Sequence, residues 1–170
     1  MASRDIEKLH PDLRDKAKEL KSRLPFELLI YCTGRSAEEQ AKLFRQSRSK
    51  KIIDEKIATL EKYGHEELAK ILRDVGPQYG PHVTKVGPGE SWHQYWEAFD
   101  AVPVIGGKLL WVRKTNDQYW GQLGSVATEL GLNWGGNWPK WQDAPHFQRP
   151  ATGNPLKLGI KGCILRESDL

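Results

Sequence analysis

Apolar residues recur at helical spacing near the start of the chain, where Ile6, Leu9, Leu13, Ala17 and Leu20 stand among charges. Residues three and four apart share one helical face, so this pattern predicts an amphipathic helix over residues 5–22, ended by Pro25. FELLIY, residues 26–31, is a short bulky run that reads as a buried strand. Gly34 permits a turn, and SAEEQAKLF opens a second helix with Ser36 and Glu39 at the spacing of a capping box.

Residues 47–75 are highly charged and helical in pattern, divided at Gly64 into two short helices with a solvated face. VGPQYGPHVTKVGPGES is loop. AFDAVPVIGGKLLWV predicts two strands around a Gly106-Gly107 turn, and NDQYWGQLGSVATELGL a helix capped by Asn116 or Asp117 and closed by Gly131. NWGGNWPKWQDAPHFQRP reads as aromatic loop followed by a short extended piece. Helices first and strands later predict an α+β fold, with the helices on a small antiparallel sheet. With no internal repeat and no linker, one domain is expected over residues 1–150, and residues 151–170 as its C-terminal tail.

The chain has 170 residues, enough to close a hydrophobic core. Its mean hydropathy is −0.64, and no apolar run approaches the ~20 residues that span a bilayer, so membrane insertion is not expected. The N-terminus is charged throughout and has no apolar signal region; synthesis in the cytoplasm without a signal peptide is expected. Cys32 and Cys163 form no CxxC pair and read as buried thiols rather than a disulfide or thiolate zinc site. The net charge of +4 favours polyanions, but nothing else supports a nucleic-acid partner, and none is expected.

Of the five histidines, His93 and His146 have informative neighbours. His93 and Asp100 are seven residues apart in SWHQYWEAFD. On a helix that spacing puts them about 10 Å apart along the axis, and on a straight strand it sends them to opposite faces. They chelate one ion only if the chain turns around Gln94–Glu97 and Asp100 returns on a strand beside His93. By spacing alone the pair is a weak signal, and a structural histidine with an unrelated aspartate is the safer reading. Asp143 and His146 are three apart, stiffened by Pro145. If His146 is a third ligand, Asp143 is held near the metal without binding it, which suits a general base for water. Two histidines and a carboxylate on zinc form a common hydrolytic arrangement. HExxH and GxxxxGK do not occur.

These segments resemble a known family. SxHxxxxAxD at 91–100, WGGxW at 134–138 and DxPHF at 143–147 are similar to motifs of the zinc D-alanyl-D-alanine carboxypeptidases. That family includes the L-alanyl-D-glutamate endopeptidases many phages use as endolysins. TGRSAEEQAKLF at 33–44 and VTKVGPGES at 83–91 resemble its upstream pieces in the same order, so the likeness covers roughly residues 26–148. It implies a hedgehog/D,D-peptidase-like fold and Zn2+ held by His93, Asp100 and His146. It also implies Asp143 as catalytic base, Arg35 as oxyanion stabiliser, and Ser91 beside the substrate, with Gln40 structural. Trp96 stands where the family has glycine and is expected to narrow the substrate cleft; the insert at about 47–80 is longer than in most relatives.

The expectation is therefore a monomeric zinc peptidase hydrolysing peptidoglycan stem peptides at the cell wall after release. L-Alanyl-D-glutamate endopeptidase activity comes first and D,D-carboxypeptidase second. A non-catalytic peptidoglycan binder is the reading from another class: Trp96 favours it, and the full set of three ligands and a base opposes it. Trp134, Trp138 and Trp141, near His146, read first as core packing and site walls, with a glycan contact as the alternative.

Overall fold

The computed structural model describes residues 2–111, 117–149 and 153–170. In chain order the elements are α1 (Pro11–Arg23), β1 (Glu27–Cys32), α2 (Ala37–Arg45), α3 (Lys50–Lys62) and α4 (Glu66–Asp74), then β2 (Ala98–Ile105), β3 (Lys108–Leu109), α5 (Gln118–Glu129), β4 (Asn133–Trp134) and β5 (His146–Gln148). The α+β class expected from the pattern holds. The chain divides into two compact units: Met1–Ala2, Arg35–Tyr95 and Gly153–Leu170 in one, Ser3–Gly34 and Trp96–Thr152 in the other.

The second unit holds the sheet, in strand order β1-β2-β5-β4, with β3 pairing β2. Its described pairings are antiparallel. α1 begins at Pro11, later than the pattern predicts, after a short 3-10 turn at Ile6–Lys8. Proline lacks the N–H that the first helical position leaves unbonded, so it starts a helix where it would break one further in. The predicted stripe is otherwise the buried one: Leu9, Leu13, Ala17 and Leu20 join Leu28, Ile30, Phe99, Val102, Trp120, Leu123 and Phe147 in one core. Leu24 leaves the helix in extended conformation, as the residue before Pro25 must.

β2 is buried from Ala98 to Pro103, and this two-sided burial explains why polar alternation is weak there. Gly106 and Gly107 both take positive φ, at 56° and 75°, and close the β2–β3 hairpin as the sequence predicts. Asp117 caps α5 by accepting from the N–H groups of Tyr119 and Trp120; Asn116 and Val112, also parts of predicted elements, lie outside the described residues.

The first unit is built on α2, α3 and α4. Ser36 caps α2 by accepting from the Glu39 N–H at 3.1 Å. The charged stretch forms two helices separated at Gly64, as predicted. Its apolar positions are buried: Ile53, Leu60, Leu68, Ala69, Ile71 and Leu72 pack with Ala37, Ala41 and Phe44 of α2 in a second hydrophobic core. Leu156, Cys163 and Leu165 of the C-terminal tail pack against it. The tail's Ile164 accepts from Ala37 N–H at 2.7 Å and donates to Gln94 carbonyl at 2.8 Å. No helix among the described residues is long and apolar enough to cross a membrane.

Candidate metal centre

In the sheet unit, β2 and β5 pair so that Asp100 lies opposite His146. Directly opposed residues on antiparallel strands project to the same face. His146 Nδ1 stands 3.2 Å from Asp100 Oδ1, and both residues are buried. His146 Nε2 is 2.9 Å from Gln148 Oε1, two residues along the same strand and on the same face. That amide oxygen only accepts, so Nε2 carries the proton. Nδ1 therefore meets the carboxylate either as the second N–H of an imidazolium or as a lone pair beside a shared cation.

The electrostatics run the same way. Burial alone pushes the His146 pKa down, yet the Asp100 hydrogen bond and charge, the Asp143 charge and Gln148 outweigh it and raise the value. Positive charge is wanted between these groups. A divalent ion bound by Nδ1 and the carboxylate meets that demand, so the donor set fits a metal, and Gln148 supplies the outer partner that fixes the ring.

WGGNW and the aspartate after it shape the rest of this face. Trp134 is buried and donates its indole N–H to Ala144 carbonyl at 2.7 Å. The two glycines are required by close approach: a Cβ on Gly136 would lie 2.2 Å from the Trp134 ring, and one on Gly135 would lie 2.4 Å from Asp143 carbonyl oxygen. Asp143 is pinned by its backbone, donating to Gly135 carbonyl at 2.9 Å and accepting from His146 N–H at 3.1 Å. Trp138 donates its indole N–H to Asn133 at 2.9 Å, and its ring lies 5.2 Å from the His146 ring. Asp100 and His146, 46 residues apart in sequence, are thus brought together, and the charge of Asp143 acts on His146.

Trp96 takes φ = 59°. The left-handed region costs a side-chain-bearing residue about 1–2 kcal/mol. Its ring lies directly on Gly34, where a Cβ would come within 2.3 Å. The Lys8 ammonium stands 5.6 Å from the ring centre, and Trp96 carbonyl accepts from His10 N–H at 3.0 Å. The predicted turn between His93 and Asp100 is therefore present, and it is Trp96 that makes it.

The first unit carries Arg35, Ser91 and His93. His93 is buried in the 3-10 turn Trp92–Tyr95, its carbonyl accepting from Arg35 N–H at 3.2 Å. Arg35 Nη1 donates to Gln40 Oε1 at 3.1 Å, and Gln40 Nε2 donates to Thr84 Oγ1 and Val86 carbonyl at 3.1 and 2.8 Å. The structural place expected for Gln40 is this bridge from helix to loop. Ser91 is buried and its N–H donates to Gln94 Oε1 at 3.1 Å.

Two neighbours escape the sequence reading. Gln148 could have been flagged by period two from a histidine on a strand. Cys32, expected as a plain buried thiol, is paired with Asp100 across β1 and β2; no local pattern signals that.

The sequence signature described as D-alanyl-D-alanine carboxypeptidase matches residues 85–149, a span that includes His93, Asp100, Asp143 and His146. The chain is 27% identical over 149 residues to the peptidoglycan L-alanyl-D-glutamate endopeptidase CwlK of Bacillus subtilis (strain 168), covering 82% of this chain and 72% of that protein. The crystal structure of the L-Ala D-Glu endopeptidase ChiX of Serratia marcescens aligns over 88% of both chains at 18% identity, with a TM-score of 0.48.

Proposed function

We propose that this chain, whose residues 85–149 match the signature described as D-alanyl-D-alanine carboxypeptidase, is a zinc-dependent peptidase that cuts the L-alanyl-D-glutamate bond of peptidoglycan stem peptides. The observation that carries this reading is the buried Asp100–His146 pair, with His146 Nε2 donating its proton to Gln148 Oε1 and the charge of Asp143 acting on the ring. The printed activity of the Bacillus subtilis relative supports the choice of bond. The D-alanyl-D-alanine description of the matched segment favours a second reading, D,D-carboxypeptidase.

His93, Asp100 and His146 would hold the zinc. Bound there, it would supply Lewis acidity at the scissile carbonyl and favour ionisation of water near neutral pH. The chain's own groups do the rest. Asp143, fixed by backbone bonds on both sides, takes the proton of the attacking water and passes it to the leaving amine. Arg35, steadied through Gln40 by the 84–86 loop, offers its guanidinium to the charge developing on the carbonyl oxygen. Ser91 and the Trp96 side chain border the substrate. The net charge of +4 favours an anionic wall surface, where the enzyme acts as a lysin.

One purified stem peptide separates the readings by mass spectrometry. The endopeptidase releases L-alanine, or the muramyl-L-alanine portion, from a fragment that begins with D-glutamate. A carboxypeptidase releases only terminal D-alanine. Chelator abolishes either reaction, and Asp143→Ala lowers it by about 10²–10⁴-fold, the usual weight of a positioned acid–base group. Intact peptide after digestion by the metal-loaded wild type leaves a wall-binding protein instead.

A further inference from the structure

We infer that Tyr31 and Trp111 form an aromatic subsite for the amino-sugar ring next to L-alanine in the substrate, on the sheet face that carries Asp100 and His146. This rests on the reading of the chain as a peptidase of muramyl stem peptides and names the part of the substrate which that reading leaves unplaced.

Strand geometry puts the pair there. Val104 pairs with Glu27 of β1 and with Leu109 of β3, so β1 and β3 flank β2 on opposite sides. Side chains alternate along a strand, and directly opposed residues share a face. Asp100 and Val102 therefore share one face with Leu29, opposite Val102, and with Tyr31, two residues further along β1. Leu28, Ile30, Phe99 and Phe147 turn the other way, into the core. The register shifts after Ile30, so that Cys32 stands opposite Asp100 and Tyr31 is the extra residue. Such a bulge re-aims the side chain it carries, and bulges recur beside active sites.

Trp111 arrives from the other side. Leu110 N–H donates to Pro103 carbonyl at 2.9 Å and carries the β3 pairing one residue further. The same register sets Trp111 beside Val102. The two rings meet across β2, edge to face, with centroids 5.3 Å apart and planes at 68°. Val102 has no exposure, whereas Trp111 is 58% exposed.

Distance and chemistry name the occupant. Neighbouring strands lie about 5 Å apart and alternate residues of one strand about 7 Å apart, so the pair stands about that far from Asp100. A muramyl ring is joined to the alanyl carbonyl through about six bonds, which span about 7 Å when extended. With that carbonyl at the metal, the sugar reaches the pair and L-alanine does not. One face of a pyranose is a patch of C–H groups with hydroxyls at its rim, which suits an exposed indole that is apolar in body and polar at its N–H. Leu29, Tyr31, Val102 and Trp111 carry no charge, so the patch suits a neutral ring better than the D-glutamate carboxylate. Trp134, which the sequence also offers for a glycan, is buried in the core.

The test uses zinc-loaded Asp143→Ala protein, which binds substrate without cutting it at a useful rate, and the same protein with Trp111→Ala or Trp111→Phe added. Each is titrated calorimetrically with a disaccharide stem peptide and with the same peptide carrying an acetyl group in place of the sugar. The protein with Trp111 is expected to prefer the sugar-bearing ligand by about tenfold, the weight of covering about 50 Å² of apolar surface. Trp111→Phe keeps part of that preference, and Trp111→Ala reduces it to less than about twofold. No preference in the protein with Trp111, or an undiminished preference in Trp111→Ala, overturns the subsite; the second result assigns the ring to packing or to the stem peptide. Failure of both ligands to bind overturns it as well. Cleavage of the acetyl peptide by zinc-loaded wild type reports on the peptidase reading alone, because that substrate carries no sugar to place on Trp111.

Discussion

At the scale of single residues, the centre is shaped by what neighbours forbid as much as by what they bond. Gln148 fixes which nitrogen of His146 carries a proton, and Gly135 and Gly136 leave room for Asp143 and Trp134 to approach. Gly124 does the same from α5, where an added Cβ would lie 2.0 Å from the Trp134 ring. Two effects oppose each other at that position. Alanine is favoured over glycine inside a helix by about 1 kcal/mol, whereas overpacking a tight core costs about 1–3 kcal/mol. A contact that short cannot be met by rotating a flexible chain end, because the obstacle is a buried ring. Gly124→Ala is therefore expected to lower stability by up to about 2 kcal/mol, read as a lower urea midpoint with unchanged slope. A midpoint raised by the substitution would mean that the Trp134 ring has space to move, and that its hold on Ala144 is weaker than described.

Among the elements, the loop leading to Ser91 and His93 is tied to α3 and to the tail through one carboxylate. Glu90 accepts from Lys56 Nζ at 2.9 Å, from Gly87 N–H at 2.6 Å and from Asn154 Nδ2 at 3.0 Å. Burial raises its pKa, but the Lys56 bond and charge, Gly87 and Asn154 outweigh this and bring it below the ordinary value. A depressed carboxylate pKa means that the folded state holds its proton less tightly than the unfolded chain does. The stabilisation is thus fully present above the unfolded value of about 4.3 and is lost as pH falls through the folded value. Urea unfolding of wild type and Glu90→Gln is expected to differ at pH 7, with wild type the more stable, and to converge below pH 4. A gap that stays constant down to pH 3 would contradict the ionised anchor.

Taken as a whole, the molecule shows which parts of a fold are written locally. The α1 stripe, the Ser36 cap and the Gly106-Gly107 turn depend on residues within a few positions of one another, and they appear where the sequence puts them. The start of α1 is ambiguous in the sequence, because Pro11 both breaks the helical run before it and begins the one after it. The partnership of Asp100 with His146 depends on strand register across 46 residues, which motif order signals and spacing alone does not. The Cys32 bulge and the approach of Gly124 to Trp134 are consequences of packing without any local signature. Nor does the charge of residues 47–75 reveal that their apolar positions build a core with α2.

Zinc binding tests the central claim most directly. Calorimetric titration of zinc into the metal-stripped protein is expected to show one equivalent bound by wild type. His93→Ala, Asp100→Ala and His146→Ala should each weaken that binding by well over tenfold, while Asp143→Ala retains it, since the base stands beside the ion rather than on it. Wild type that takes up no zinc, or a His146→Ala variant that binds it as tightly as wild type, would contradict the account.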